Sequence, residues 1–175
     1  SVFEVYDCKK SPTGQFLHLG RMQKGSLLAG SEVTAAVLRP RRQSIMRNHT
    51  AAHLLQYALR EVLGSHVHQA GQLVDADCCR FDFTHFAAVT SDELMKIEML
   101  VNSLILDCLP VTVSEMSQDE AKAKGAMALF SEKYGDVVRV VDIGGRSIEL
   151  CGGTHVDNTS KLGLFKILRE SSVAA

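Results

Sequence analysis

The chain has 175 residues, enough for one ordinary domain or two small ones with a buried core. Hydrophobic residues make up 46% and charged residues 22%, which argues against a disordered protein. The net charge of −1 argues against a broadly polybasic protein, but it hides an asymmetry. Residues 1–48 carry eight Lys and Arg against three Asp and Glu, whereas residues 49–175 carry eleven against seventeen. Whether the protein can bind a nucleic acid therefore depends on where its basic side chains lie.

Membrane and secretory signals are absent from the sequence. No apolar run approaches the roughly 18 residues of a membrane helix, and Ser1-Val2-Phe3-Glu4 shows no secretory pattern. The five cysteines are an odd number without the spacing of a disulfide framework. We therefore expect free thiols, a cytoplasmic location and no membrane association.

Short strands are predicted at the start of the chain. Residues 2–6, 15–22 and 32–38 alternate or run apolar and are separated by glycines, as in a small β-unit. Pro40-Arg41-Arg42 indicates a hinge after this unit. The expected domains are therefore residues 1–43 and residues 44–175.

Helices and strands are mixed in the remainder. The pattern predicts a helix from Ser44 to Leu63, a second from the capping box at Thr90 to about Cys108, and a short third after the capping box at Ser117. Strands are predicted at 67–74, 80–85, 111–116, 137–142, 147–151 and 163–168. Because strict βαβ alternation is absent, the fold class is α+β with a largely antiparallel sheet.

Two histidine-containing motifs are suited to metal binding. His49 and His53 lie about 40° apart on the first helix, so both rings share one face. Thr50 stands where a metalloprotease has its glutamate base, which argues against that activity. Cys151 and His155 flank a glycine turn about a hundred residues later. Each motif alone fits solvent-facing histidines or a buried cysteine, but together they form a ligand set that zinc prefers.

Longer runs around these motifs resemble a known family. Arg47-Asn48-His49-Thr50-Ala51-Ala52-His53-Leu54-Leu55 and Ser147-Ile148-Glu149-Leu150-Cys151-Gly152-Gly153-Thr154-His155-Val156 are similar to the paired motifs of the alanyl-tRNA synthetase editing domain. Arg80-Phe81-Asp82-Phe83 and the run Gly20 to Ala35 also fall where that family has similar segments. Free-standing alanyl editing proteins and the threonyl-tRNA synthetase editing domain share the ligand motifs, but Gly152-Gly153-Thr154 favours the alanyl branch.

The resemblance implies both a fold and a reaction. Residues 1–43 would be part of a small β-barrel, and residues 44–175 an editing domain with helices packed on a largely antiparallel sheet. The family hydrolyses the ester that links serine or glycine to the acceptor end of alanine tRNA. The parent enzyme joins alanine to tRNA with ATP, and this chain shows no motif for that step. It would therefore be a fragment whose partners are tRNA and the parent's other domains.

The resemblance also implies roles for individual residues. Zinc would be held by His49, His53, Cys151 and His155. Cys151, His49 and Gln69 are the candidate catalytic residues, and substrate binding is expected at Gln69, Gly71, Asp82 and Thr154. Arg41 and Arg42 precede the predicted helix that carries His49 and His53, and Arg47 lies in its first turn. All three arginines are expected to contact tRNA phosphates.

Two questions stay open at this stage. Four protein ligands make a closed site, so either Cys151 gives way to water or substrate, or zinc is structural and Cys151 or His49 orders the water. The overall function also has two alternatives. One is a free-standing trans-editing hydrolase, and the other is a structural zinc module that binds the tRNA acceptor end without catalysis.

Overall fold

The chain forms two compact units in a computed structural model that describes residues 1–127 and 135–172. The units are residues 1–37 and 38–175. The sequence predicts a boundary after residue 43, but this residue lies inside the first helix of the structure.

The first unit contains an antiparallel hairpin. Strand β1 (Val2–Lys10) pairs with β2 (Phe16–Lys24). The strand expected at 32–38 is wrong, because this stretch is exposed and has no strand assignment. An alternating sequence forms a strand only where a neighbour can bond its backbone groups. No closed barrel occurs in the described part of the chain, and a partial barrel at residues 1–43 stays a prediction.

The second unit begins with helix α1 (Arg39–Leu63), which ends before Gly64. The sequence predicts a hinge at Pro40 and a helix start at Ser44, and this start is wrong. Pro40 lies in the first turn of α1, where a missing N–H breaks no helical hydrogen bond and the fixed φ of proline suits the helix. Arg41 and Arg42 are consequently helical residues.

The two capping boxes are confirmed. Thr90 precedes α2 (Ser91–Leu106) and exchanges hydrogen bonds with Glu93. Ser117 precedes α3 (Gln118–Ala123) and does the same with Glu120. Each box satisfies N–H groups that a helix start would leave unpaired.

The strands of the second unit form two antiparallel sheets, which with the helices confirms the α+β class. Strand β3 (Gln69–Val74) pairs with β4 (Cys79–Phe83). The larger sheet has the order β5 (Val111–Ser117), β6 (Val137–Ile143) and β7 (Ser147–Leu150). A 3₁₀ helix spans Thr159–Leu162.

The main core lies between α1, α2 and the larger sheet. Burying each large apolar side chain contributes about 1.5–3 kcal/mol. The buried members from these elements include Leu54, Ala58 and Leu59, then Ile97, Val101, Leu104 and Ile105, and then Val111, Val141 and Ile143.

The strand expected at 163–168 is also wrong, although side chains there do alternate. Phe165 and Ile167 pack against the core, whereas Leu164 and Leu168 are exposed. The Phe165 N–H donates to Asn102 Oδ1, and the Ile167 N–H donates to Glu98. The partners of this segment are therefore side chains of α2, which replace a neighbouring strand.

Two further expectations concern helices and cysteines. Within the described residues, every helix is too short or too polar to cross a membrane. All five cysteines are unpaired.

Candidate metal centre

The four expected ligands converge at one point. One donor atom from each of His49, His53, Cys151 and His155 lies within 4.8 Å of the other three. Cys151 Sγ is 3.5 Å from His49 Nε2 and 3.4 Å from His155 Nε2. His53 and His155 are buried, whereas His49 and Cys151 are half-buried. The accessible side of the cluster is therefore formed by His49 and Cys151.

The β6–β7 hairpin carries the cysteine to this point. The chain leaves β7 at Leu150, and the Cys151 N–H still bonds the Arg139 carbonyl on β6 at 3.0 Å. The Arg139 guanidinium in turn donates to the carbonyls of Cys151 and Gly153. One half-buried side chain therefore fixes the loop on both sides of Gly152.

Helix α1 carries His49 and His53, and β3 runs alongside this part of the helix. The Arg60 guanidinium donates to the Val67 carbonyl at 2.9 Å, just before β3. The Asn48 amide donates to the Asp75 carbonyl at 2.9 Å, just after β3. These two bonds hold the strand antiparallel to the part of α1 that contains the histidines.

Zinc suits both the donors and their spacing. A tetrahedral site with Zn–N near 2.05 Å and Zn–S near 2.3 Å separates its donors by about 3.3–3.6 Å. The two sulfur–nitrogen distances already have this length. The remaining separations, which are at most 4.8 Å, would have to shorten to complete such a site. The cluster can therefore hold a metal ion, and its one sulfur and three imidazole donors favour zinc.

Buried partners orient two of the imidazoles. Glu149 Oε2 lies 2.7 Å from His53 Nδ1, and Ser147 donates to the other carboxylate oxygen at 2.7 Å. The Thr50 hydroxyl lies 3.1 Å from His155 Nδ1 and also accepts from the Val156 N–H. In each case the second ring nitrogen, Nε2, is left for the cluster. Carboxylate and hydroxyl partners of this kind fix metal-binding histidines.

The electrostatics of the cluster favour a thiolate. Burial raises the pKa of the Cys151 thiol, but hydrogen bonds from the three histidines outweigh it and lower that pKa to about 3. Burial lowers the pKa of His53, yet the Glu149 carboxylate and the Cys151 sulfur together raise it to about 9. Burial and the neighbouring histidines lower the pKa of His155. Because the thiolate is the metal-binding form of cysteine, the cluster is prepared for a cation.

The glycine turn is needed for close approach. A Cβ on Gly153 would overlap the His49 ring, whereas a Cβ on Gly152 would have no heavy atom within 4 Å. Gly153 therefore lets the backbone pass directly against the His49 imidazole.

Three of the four expected substrate-binding residues lie on β3 and β4, and the fourth lies in the loop that follows β7. Gln69 begins β3, and its buried side-chain Nε2 has no hydrogen-bond partner among the described residues. Gly71 pairs with Asp82 across the β3–β4 ladder, and Asp82 also forms an ion pair with Arg80 at 3.0 Å. Thr154 is half-buried in the cysteine loop. None of these four belongs to the metal cluster, and their substrate roles stay predictions.

The expected tRNA-binding arginines all lie on α1. Arg41 and Arg42 are exposed, and Arg47 is half-buried and donates to Ser44 Oγ at 2.9 Å. In the described part of the chain, none of the three has a carboxylate within ion-pair distance. Arg42 lies two turns before His49 on the same helical face, about 10 Å along the axis.

Three supporting residues lie in runs that resemble the family but receive no individual role from the sequence. Arg139 interrupts the apolar run at residues 137–141, and Glu149 lies between Ile148 and Leu150, and this pattern could have drawn attention to them. Thr50 has no comparable signal, because its partners His155 and Val156 are more than a hundred residues away.

Comparisons with known proteins agree with the motifs. The family model described as the threonyl and alanyl tRNA synthetase second additional domain matches residues 138–175. An alanine–tRNA ligase from Acetivibrio thermocellus is 56% identical over 172 residues, which is 98% of this chain and 20% of that protein. The Bacillus velezensis enzyme is 51% identical over 175 residues, 100% of this chain and 20% of that protein. An Exiguobacterium sibiricum enzyme is 55% identical over 174 residues, 99% and 20% respectively.

The chain spans about one fifth of the length of the curated relatives it matches. The expected resemblance to the alanyl-tRNA synthetases is confirmed, and this chain is similar over nearly its whole length to one region of those ligases.

Proposed function

We propose that this chain is the editing part of an alanyl-tRNA synthetase and hydrolyses the ester of serine or glycine on alanine tRNA. The observation that carries the proposal is the cluster of three histidines and one cysteine, in a chain at least 51% identical to alanine–tRNA ligases. The longer parent joins alanine to tRNA with ATP, and its other domains are partners of this chain. We assign the activity to the cytoplasm, in keeping with five unpaired cysteines.

The reaction answers a physical limit on the ligation step. A pocket that accepts alanine cannot strongly reject the smaller glycine, nor serine with one added hydroxyl. A second, hydrolytic site is then required for accuracy. Water adds to the ester carbonyl carbon, the bond to the ribose oxygen breaks, and that oxygen takes up a proton. The products are the free amino acid and uncharged tRNA.

The chain's own residues supply binding and orientation. Zinc held by His49, His53, Cys151 and His155 would supply a Lewis acid for the ester carbonyl and the attacking water. The ester approaches from the side of His49 and Cys151, because His53 and His155 are buried. With zinc bound, Cys151 would be the ligand suited to give way to water or to the substrate amine, because it is only half-buried.

Substrate recognition follows from the residues around β3. The unpaired amide Nε2 of Gln69 is a donor available to the amino acid or to the water. Gly71 and the Asp82 carboxylate lie opposite each other on the β3–β4 ladder, and we propose that they border the amino-acid pocket with Thr154. The guanidinium groups of Arg41, Arg42 and Arg47 have no carboxylate within ion-pair distance in the described residues, and we propose that they bind phosphates.

A deacylation assay with zinc-loaded protein tests the proposal. We expect release of serine from Ser-tRNA and of glycine from Gly-tRNA, with Ala-tRNA spared. Cys151→Ala and His49→Ala should reduce the rate by about 100-fold or more, whereas Cys8→Ala, which changes an exposed cysteine of β1, should not. Zinc binding and tRNA binding without release above the buffer rate, also in the full-length parent, would instead support the structural zinc module.

A further inference from the structure

The side chain of Arg139 lies on the face of the larger sheet that packs against the helices. Along β6, Val141 and Ile143 belong to the main core, whereas Val138 and Val140 pack in a separate apolar cluster. Because side chains alternate between the two faces of a strand, Arg139 shares the face of Val141 and Ile143. A half-buried guanidinium group therefore continues a row of core side chains toward the metal cluster.

Arg139 binds the main chain of Cys151 at both of its polar groups. The Arg139 carbonyl accepts from the Cys151 N–H at 3.0 Å, and Arg139 Nη1 donates to the Cys151 carbonyl at 2.7 Å. The same Nη1 atom also donates to the Gly153 carbonyl. Because the main chain of Cys151 cannot move away from β6 without breaking these bonds, the position of its sulfur depends on Arg139.

The loop that Arg139 holds directs a backbone N–H at the cysteine sulfur. The Gly153 N–H donates to Cys151 Sγ at 3.4 Å. The sulfur therefore has a main-chain hydrogen-bond donor in addition to the ring nitrogens of His49 and His155. A donor of this kind stabilises the negative charge of a thiolate and withdraws electron density from a sulfur that binds a metal.

We infer that Arg139 is a positioning residue, which sets the strength of Cys151 as a metal ligand by holding the Gly153 N–H on its sulfur. The inference deepens the proposed function and rests on it, because Cys151 lies on the accessible side of the cluster. Loss of the guanidinium group frees the carbonyls on both sides of Gly152. The Gly153 N–H is then no longer fixed on the sulfur, which regains electron density and is held less firmly.

Cobalt(II) in place of zinc tests the inference, because a thiolate bound to cobalt gives a charge-transfer absorption band. Arg139→Met keeps the apolar stem but removes the guanidinium group, and we expect this band to move to longer wavelength with the cobalt stoichiometry unchanged. Zinc affinity, measured by competition with a chromophoric chelator, should fall about tenfold, as for the loss of other outer partners of metal ligands. Arg139→Lys retains one nitrogen that can donate to both carbonyls and should restore the band and part of the affinity. Arg146→Gln, which removes an exposed arginine in the β6–β7 turn, is the matched control and should behave as the wild type.

The kinetics provide a second readout. Arg139→Met should lower kcat for Ser-tRNA about tenfold with KM within about twofold, because Arg139 acts through Cys151 and not through a contact with the tRNA. The inference is overturned if Arg139→Met and Arg146→Gln have the same cobalt spectrum. It is also overturned if Arg139→Lys is no closer to the wild type than Arg139→Met, including the case in which Arg139→Met binds no cobalt. If the band shifts as expected but the wild type does not hydrolyse Ser-tRNA, the positioning role stands and the proposed hydrolase function fails.

Discussion

Gly153 determines how closely the cysteine loop can approach α1. Any side chain at this position would overlap the His49 imidazole, whereas Gly152 has open space at the same point. We expect Gly153→Ala to displace His49 or Cys151 and to lower zinc affinity by at least about tenfold, the smaller end of the range for disturbed ligand orientation. Competition with a chromophoric chelator measures the affinity.

The neighbouring glycine is the control. Gly152→Ala adds the same methyl group to the same loop and should retain zinc at the wild-type affinity. An equal loss in both variants would show that loop flexibility, and not the contact with His49, controls the site.

Glu149 is the buried group that holds His53 in place. Its carboxylate is 1% exposed and lies 2.7 Å from His53 Nδ1. Glu149→Gln keeps the shape but removes the charge that supports the ring, so zinc affinity should fall about 10- to 100-fold. Glu115→Gln, an exposed change on β5, should have no effect. An unchanged affinity in Glu149→Gln would mean that packing alone orients His53.

The sequence predicts ligands better than it predicts their supports. The spacing from His49 to His53 and from Cys151 to His155 is local, so helix geometry and a glycine turn are sufficient to place each pair. The contacts of Thr50 with His155 and of Arg139 with the Gly153 carbonyl depend on how distant elements pack. No local pattern encodes such a contact.

Side chains of α2 supply hydrogen-bond partners for the backbone of the extended segment at residues 163–168. Asn102 accepts from the Phe165 N–H and donates to the Phe165 carbonyl, and so replaces both bonds of a strand pair. Asn102→Ala leaves these half-buried backbone groups unpaired, which should lower the free energy of unfolding by about 1–3 kcal/mol. Urea denaturation measures the change.

An adjacent substitution on α2 serves as the comparison. Ser103 is exposed, and its hydroxyl donates to the Leu100 carbonyl of its own helix. Ser103→Ala should therefore change the free energy of unfolding by no more than about 0.5 kcal/mol. Similar losses in both variants would indicate that α2 itself, and not its contact with Phe165, had been weakened.

Elements with local start signals are those that the sequence predicts well. The capping boxes at Thr90 and Ser117 fix the starts of α2 and α3, because their hydrogen bonds span only three residues. Residues 32–38 and 163–168 also have strand-like composition, but a strand depends on a partner elsewhere in the chain. For residues 163–168 that partner is a helix side chain, which no strand pattern predicts.

The structure shows where several of the basic residues in the first 48 positions lie. The division after residue 43 would separate Arg41 and Arg42 from the histidines, whereas the structure puts all of them on α1. Arg41, Arg42 and Arg47 therefore belong to the unit that carries the metal cluster. The net charge of −1 conceals this local group of arginines on α1, for which we propose contacts with tRNA phosphates.

The division between residues 37 and 38 predicts that residues 38–175 fold without the first unit. The main core, a smaller apolar cluster of Ala121, Val138 and Val140, and all four metal ligands lie in the second unit. Deleting residues 1–37 should therefore leave zinc stoichiometry unchanged and the free energy of unfolding within about 0.5 kcal/mol, as for independent sites. Residues 1–37 alone contain a two-stranded hairpin, which is at best marginally stable in water, and should show no cooperative thermal transition by circular dichroism. A truncated chain that loses zinc or unfolds at clearly lower urea concentration would contradict this, because the metal centre would then depend on a unit that supplies none of its ligands.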